Sequence, residues 1–344
     1  MNLRGKIGNR GCARNLLSPM NKLCRSFALS VALTLAAPAS TWADNTNKPA
    51  SPGAVNTTVS QASAAAMNSV LLANLLGGAG VFRIQLGKST VRPRIGLAAA
   101  GEPDTWTFWA SPAYSQFNNN IAPITSKGSI LLGLAGLEYN YQDQTIAGLS
   151  LAVDRLNGTT PYNSGTLDGS GYTLAPYIMH YLSPSVVLNA SYGVGQIDFT
   201  SKAGGISSSP ATSRTMLTVG LMRIDTKGKF FITSKATYNR FGSDTKSYRF
   251  SDGTSSAGLN STLSQFMVGG QVAYDMTPLT PFLGVYQYFN DLSSTAPSET
   301  PREYATSTQV ILGLHASKGP FYGSLGYYAE RDRSQVRTYF GLRF

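Results

Sequence analysis

The sequence has very little cysteine or histidine. Cys12 and Cys24 are the only cysteines, and both lie among the first 43 residues, which we expect to be removed from the mature chain. His180 and His315 are the only histidines, and they lie far apart in the chain. The mature chain would then have no disulfide, thiol nucleophile or cysteine ligand, and a multi-histidine metal site has no support. We expect neither a metal ion nor another cofactor.

Long apolar segments are also lacking. Beyond the first 43 residues, no stretch approaches the ~20 apolar residues that a membrane-spanning helix needs, and the mean hydropathy is close to zero. A membrane protein of this composition has to cross with strands, because a closed sheet satisfies its backbone hydrogen bonds without long apolar runs.

Acidic residues are absent from the start of the chain, and this absence explains much of the basic charge. The formal net charge is +11, from 28 basic and 17 acidic residues. Without the six basic residues that precede residue 44 the net charge falls to +5; these six are Arg4, Lys6, Arg10, Arg14, Lys22 and Arg25. The other basic residues are scattered, so we expect no nucleic-acid partner.

The same first residues have the organisation of a secretory signal peptide. Two basic residues follow Met20, then an apolar run over residues 27–37, then the segment Thr41-Trp42-Ala43, which has the small residues of a cleavage site at its first and last positions. We predict a signal peptide over residues 1–43, with cleavage after Ala43 and export to the periplasm. Met20 is an alternative initiator, because a signal peptide that starts there has ordinary length. The apolar run is too short to anchor the chain in a membrane.

A polar extension and an uncharged helix precede the strands. Residues 44–53 are rich in Asn, Pro, Ser and Thr, and we expect them to be a short flexible extension. Residues 54–76 carry apolar side chains at helical spacing and no charge, and two glycines follow. A helix of about 20 residues is about 30 Å long, enough to cross a barrel lumen. We predict a pore helix and linker over residues 54–103, with a peripheral amphipathic helix or a linker in place of the pore helix as the alternative.

From residue 104 onward, alternating apolar and polar segments are separated by turn residues. This pattern is typical of antiparallel membrane hairpins. We predict an all-β membrane protein, a 12-stranded antiparallel transmembrane β-barrel over residues 104–344 with the N-terminal α-helix in its lumen. The predicted strands are 104–114, 128–140, 144–155, 169–182, 185–200, 211–225, 229–240, 261–274, 279–290, 303–316, 319–331 and 334–344.

A period of two assigns faces in several of these strands. The predicted lipid-facing residues are apolar, among them Leu188, Tyr192, Val194, Val219, Leu221, Phe266, Val268 and Val272. The predicted lumen-facing residues are mostly polar or small, among them Asn189, Gly193, Arg214, Thr218 and Gln265. Segments 169–182 and 279–290 have no clear facing pattern.

Short and long connections alternate along the predicted barrel. The short ones are 141–143, 183–184, 226–228, 276–278 and 317–318, and the longest of the others is 241–260. A barrel inserted from the periplasm has tight turns inside and longer loops outside. With a periplasmic C-terminus, all five short connections lie on the periplasmic side.

The final segment, 334–344, keeps the alternating pattern to its last residue. Phe340, Leu342 and Phe344 then face lipid, while Arg337 faces a polar lumen. A final strand that ends on an aromatic residue resembles the terminal assembly signal of bacterial outer-membrane barrels. We predict that Phe340, Leu342 and Phe344 form this signal. An ordinary strand of a soluble sandwich is the alternative.

Together, these features resemble the translocator unit of type V secretion autotransporters, a pore helix followed by a twelve-stranded barrel. The resemblance covers residues 54–344. It is carried by the tryptophans Trp106 and Trp109 of the first strand, the glycine-spaced hairpin 134–149, the segment 279–286 and the terminal Phe344.

The resemblance implies a monomeric barrel in the outer membrane of a Gram-negative cell, plugged by its own helix and without enzymatic activity. The implied partners are the lipid bilayer, the barrel assembly machinery and periplasmic chaperones. About ten residues separate the predicted cleavage site from the helix, so we expect no covalent passenger. The helix has single asparagines, Asn68 and Asn74, rather than an Asn-Asn pair, so we do not expect self-cleavage.

A porin-like channel or transporter of the outer membrane is the alternative function. Lumen residues such as Asp154, Arg214 and Glu330 would then line a selective pore. This alternative needs the same fold and differs in what occupies the lumen.

Two fragments of catalytic or binding motifs fail on closer inspection. His315 and Ser317 have the spacing of the base and nucleophile in an outer-membrane phospholipase, another twelve-stranded barrel. Our topology places His315 in the lumen and Ser317 in a periplasmic turn, and no asparagine follows Asn290 to orient the base. The Gly-Lys-Ser tripeptide at 87–89 resembles the end of a phosphate-binding loop, but Phe82 stands where that loop needs glycine. We predict no catalytic residue, and a phospholipase-type enzyme is the weakest alternative.

Overall fold

The computed structural model describes the predicted barrel and little of what precedes it. The described residues are 49, 82–86, 105–121, 125–142, 144–276, 278–295, 304–318 and 321–342. The predicted signal peptide with Ala43, the polar extension apart from Pro49, the helix 54–76, the tripeptide 87–89 and Phe344 lie outside them.

Nearly all of the described chain is β-strand. The strands are β1 Phe82–Leu86, β2 Thr105–Asn119, β3 Ser126–Tyr141, β4 Thr145–Thr160, β5 Gly165–Ser183, β6 Val186–Ala203, β7 Ile206–Ser208, β8 Ala211–Lys227, β9 Phe230–Thr245, β10 Tyr248–Arg249, β11 Ser255–Ser256, β12 Leu259–Tyr274, β13 Leu279–Ser294, β14 Thr306–Lys318, β15 Phe321–Glu330 and β16 Arg333–Leu342. One turn of 3₁₀-helix, Pro161–Asn163, joins β4 to β5.

Twelve of these strands form a closed antiparallel barrel. Each one pairs with the next barrel strand along the chain, and the circle closes where β16 pairs with β2. The barrel strands are β2 to β6, β8, β9 and β12 to β16. The short strands β7, β10 and β11 lie in connections between them. The predicted twelve-stranded barrel is therefore confirmed.

The five predicted short connections all lie at one end of the barrel. They consist of residues 142–144, 184–185, 228–229, 275–278 and 319–320. The turn after β8 depends on Gly228, which has a φ of 61°. A side chain would be strained in that left-handed conformation, and glycine adopts it freely.

Two details of the predicted connections are wrong. β15 and β16 are joined at the long-loop end by Arg331 and Asp332 alone, so short and long connections do not alternate strictly. Ser317 lies within β14, because the strand continues to Lys318 and its pairing with β15 extends to the last residue. Cross-strand pairing prolongs a strand wherever the neighbour offers free backbone groups.

The outward face of the barrel is an apolar belt. The predicted lipid-facing residues Leu188, Val219 and Val268 are 40%, 40% and 41% exposed. The predicted lumen-facing Arg214 and Thr218 are buried. Apolar side chains of this kind on every second position are what lipid-facing strands require, and the predicted faces of these strands are confirmed.

The inward face also carries many apolar side chains. In β5, Leu167 and Met179 are buried in the interior, while Leu174 and Ile178 on the other parity are exposed. In β13 too, apolar side chains lie on both faces, with Phe282 and Tyr286 buried and Leu283 exposed. This explains why segments 169–182 and 279–290 showed no facing pattern in the sequence, since both faces of these strands are apolar.

The closure of the barrel involves a second strand. β16 pairs with β2 from Arg333 opposite Asn119 to Tyr339 opposite Ala113, and no further. β1 pairs with the rest of the same edge, residues 106–110 of β2. The residues of the predicted assembly signal that the structure describes, Phe340 and Leu342, pair with β15 alone. We call this place, where β1 and the end of β16 meet along β2, the seam.

Candidate functional site: the barrel lumen

Completely buried apolar side chains line much of the lumen. Ile130, Leu156 and Ile197 come from three different strands, and each is 0% exposed. They belong to one cluster that also contains Phe117, Leu132, Leu134, Ile146, Leu167, Met179, Val187, Phe199, Met216, Met222, Ile224, Phe241 and Leu263. A wide water-filled pore would leave such side chains exposed.

A buried ion pair lies on the lumen side and bridges two strands. The Arg214 Nη1 donates a hydrogen bond to the Asp154 Oδ2 at 3.3 Å, and its Nη2 donates to Oδ1. Both side chains are fully buried. Two strands separate the pair, and the positions opposite them on those strands are Gly171 and Gly195. Because neither glycine has a side chain, the guanidinium can reach across β5 and β6.

A second buried carboxylate is held by aromatic residues. The Trp109 Nε1 donates to the Tyr177 hydroxyl at 2.8 Å, and that hydroxyl donates to the Glu138 Oε2 at 2.7 Å. A Cβ on Gly136 would lie 2.4 Å from the Trp109 ring, and one on Gly148 would lie 2.5 Å from the Tyr177 ring. The two aromatic rings therefore occupy space that these glycines leave free.

Polar side chains form a row around another part of the lumen. Thr218, Asn239, Gln265 and Asn290 stand opposite one another on β8, β9, β12 and β13. The Thr218 hydroxyl donates to the Asn239 Oδ1 at 3.0 Å, and the Gln265 Nε2 donates to the Asn290 Oδ1 at 3.0 Å. Hydrogen bonds between these neighbours satisfy groups that burial would otherwise leave unpaired.

The structure gives no support to a phospholipase-type dyad at His315. The His315 ring stacks on Phe282, with 4.4 Å between ring centroids, and its Nδ1 has no hydrogen-bond partner among the residues that the structure describes. It lies opposite Thr280 and Ser324 on the lumen side. Asn290 is ten residues along β13 from Thr280, roughly 30 Å away at the usual strand rise, and cannot orient His315.

The described part of the chain holds no metal site. His180 lies on the outward parity of β5, with its Nδ1 2.9 Å from the Thr145 hydroxyl. Among the described residues, no group of three His, Cys, Asp or Glu side chains could hold a metal ion. In the same residues, no helix is both long enough and apolar enough to span a membrane.

Side chains at the long-loop end clamp two connections together. The Tyr304 hydroxyl, just before β14, donates to the Asp332 carboxylate in the β15–β16 turn, and the Arg331 guanidinium lies 4.7 Å above the Tyr304 ring. The hydrogen bond to Asp332 raises the pKa of Tyr304 above its ordinary value. The short turn is thereby fixed against the end of the preceding loop.

The barrel is similar to solved translocator structures. It matches the translocator domain of the autotransporter NalP from Neisseria meningitidis with a TM-score of 0.62 and 13% identity, over 85% of this chain and 99% of that one. The chain has the fold of an autotransporter translocator barrel. It also matches the transport unit of the autotransporter AIDA-I from Escherichia coli, with a TM-score of 0.54 and 8% identity, over 82% of this chain and 98% of that one.

Sequence comparison adds nothing to this likeness. No protein-family model matches the sequence, and no curated protein matches it either. The similarity to the translocator barrels is therefore a similarity of fold, and the fold is an outer-membrane β-barrel.

Proposed function

We propose that this protein is an outer-membrane barrel of the autotransporter translocator type, whose lumen is occupied by its own residues 54–76. In this proposal residues 1–43 direct export, the barrel assembly machinery and periplasmic chaperones deliver the chain, and no enzymatic step is involved. The barrel works as a monomer in the bilayer of a Gram-negative cell.

The buried apolar lumen wall is the observation that carries the proposal. Side chains alone just fill an eight-stranded barrel, and a barrel of twelve strands is wider. Wall residues such as Ile130 and Ile197, each 0% exposed, therefore favour a further occupant. Residues 54–76 are suited to that place because they are uncharged and partly apolar, so entry into the lumen buries no unpaired charge.

Conductance of the purified barrel in planar bilayers tests the plug. Deletion of residues 54–76 should convert a closed or rarely open barrel into one with a steady open conductance, because the occupant is gone and the strands satisfy their own backbone hydrogen bonds. Deletion of residues 44–53 is the control and should leave the conductance as it was.

The opposite result favours the alternative function. If the full mature chain already conducts steadily and the deletion of 54–76 changes nothing, the protein is a porin-like channel and the segment lies elsewhere. The folded state of each variant is checked by its altered electrophoretic mobility before heating.

A further inference from the structure

Two cations in the lumen have no acidic partner. Asp154 and Arg214 pair with each other, Glu138 accepts a hydrogen bond from Tyr177, and Glu330 stands opposite Arg333. Lys235 and Arg337 also lie on lumen parities of their strands, and neither has a carboxylate partner among the described residues. Unpaired charges inside a barrel are costly unless a function or a ligand uses them.

A tyrosine ring extends toward the strand that carries Lys235. Lys235 stands opposite Gly269 of β12, and Gly269 stands opposite Tyr286 of β13. A Cβ on Gly269 would lie 2.8 Å from the Tyr286 Cδ1. The ring therefore extends over the glycine toward the strand that carries Lys235.

Arg337 lies on the other side of the same tyrosine group. Its guanidinium lies 4.1 Å above the Tyr328 ring, and its Nε donates to the Gln335 Oε1 at 2.8 Å. Tyr328 and Tyr288 pack against the apolar cluster that contains Tyr286. Neither contact neutralises the guanidinium, because an aromatic face and an amide oxygen carry no full charge.

The two cations lie on either side of the tyrosines. Tyr286 and Tyr288 belong to β13 and Tyr328 belongs to β15, and both strands lie between β9 and β16, the strands that carry the cations. We call Lys235, Tyr286, Tyr288, Tyr328 and Arg337 the cationic tyrosine wall. Like charges that face one lumen repel, and an anion between them relieves the repulsion.

We propose that the cationic tyrosine wall binds small organic carboxylates and makes the open barrel selective for anions. The two cations would bind the carboxylate, the tyrosine hydroxyls would hydrogen-bond neighbouring hydroxyls of the ligand, and the ring faces would cover its apolar side. A hydroxylated ring with one carboxylate has all of these groups. This inference concerns the wall of the open barrel, so its tests use the chain from which residues 54–76 are deleted.

Titration of the folded barrel without residues 54–76 in detergent with glucuronate tests the inference, with glucose as the uncharged probe of the same ring. We expect saturable binding of glucuronate and not of glucose. The double variant Lys235→Gln with Arg337→Gln should weaken glucuronate binding about tenfold or more, because it removes two charge-assisted contacts. Lys229→Gln with Arg240→Gln is the matched control, since both of those side chains are exposed, and its binding should equal that of the barrel without these substitutions.

Ion selectivity gives a second readout on the same proteins. In a KCl gradient the barrel without residues 54–76 should show a reversal potential that favours chloride, and the double variant in the same background should shift it toward zero. Absence of glucuronate binding by the folded chain, equal binding of glucose, or a double variant that behaves like the control would each overturn the proposal. Failure of the plug experiment would leave these readouts unaffected, so the two ideas fail separately.

Discussion

At the scale of single residues, the lumen depends on polar groups that satisfy one another in a largely apolar wall. The Asp154–Arg214 pair shows the energetics most clearly. Both side chains are fully buried, so water cannot solvate either charge if its partner is removed. A charge left alone in such a place costs far more than the intact pair contributes.

Removal of Arg214 should therefore destabilise the barrel strongly. We expect Arg214→Ala to lower the free energy of unfolding by about 3–5 kcal/mol, because Asp154 stays buried and unpaired. The double variant Asp154→Leu with Arg214→Met should recover most of this loss, since it removes both charges and keeps the volume. Urea unfolding of the refolded barrel, followed by tryptophan fluorescence, measures the difference.

An exposed ion pair on the same strand supplies the control. The Arg223 Nε lies 2.8 Å from the Asp225 Oδ2, and the two side chains are 62% and 43% exposed. Arg223→Ala should change the unfolding free energy far less than Arg214→Ala does, because water solvates both members of an exposed pair. If Arg214→Ala and Arg223→Ala lowered the free energy of unfolding equally, burial would not explain the effect of removing Arg214.

At the scale of elements, the seam is the least regular part of the barrel. One edge of β2 pairs with β3. Along the other edge, one half pairs with β16 and the other half pairs with β1. Pro112 lies between the two halves, and proline has no N–H to donate to either strand. The end of β16, with Phe340 and Leu342, is thus bonded on one side only.

Cysteine pairs can distinguish the two strands at the seam. Phe82 stands opposite Ala110, so Phe82→Cys with Ala110→Cys should form a disulfide on mild oxidation. Leu342→Cys with Ala110→Cys should not, although Leu342 would face Ala110 if β16 continued its register along β2. The predicted mature chain has no cysteine of its own, so any bond is the engineered one. Faster bonding of Leu342→Cys than of Phe82→Cys would show that β16 closes the whole seam.

At the scale of the whole molecule, the two ends of the barrel differ. One end has five tight turns, and the other has most of the longer connections, including 246–258 with the hairpin of β10 and β11. In that hairpin Thr254 N–H donates to the Asp252 carboxylate at 2.9 Å, and Asp252 is exposed. Loop tips of this kind tolerate insertions better than two-residue turns do.

Epitope insertion tests which end faces the medium. An epitope at Asp252 should be detected by antibody on intact cells, because the long connections face outward in our topology. An epitope at Lys227, next to the tight turn at Gly228, should be detected only after the outer membrane is opened. Labelling in the reverse order would mean that the barrel is inserted the other way round.

The sequence alone predicted the number of strands and the lipid-facing side of several of them. This was possible because the side chains of a strand alternate with a period of two, and Leu188, Val219 and Val268 show it without ambiguity. Residues on the outward face contact only lipid. The local pattern of apolar residues is therefore enough to predict that face. The same reasoning failed in β5 and β13, where Met179 and Phe282 make the inner face apolar as well.

The tertiary structure decided what the inner face does. Asp154 and Arg214 are 60 residues apart, and only the register of β4, β5, β6 and β8 places them together, with two glycines between them. The same is true of Lys235 and Arg337, which belong to strands on either side of the tyrosines. Local sequence sets the face of a strand, but contacts across a lumen depend on the pairing of many strands at once, and no single segment carries that information.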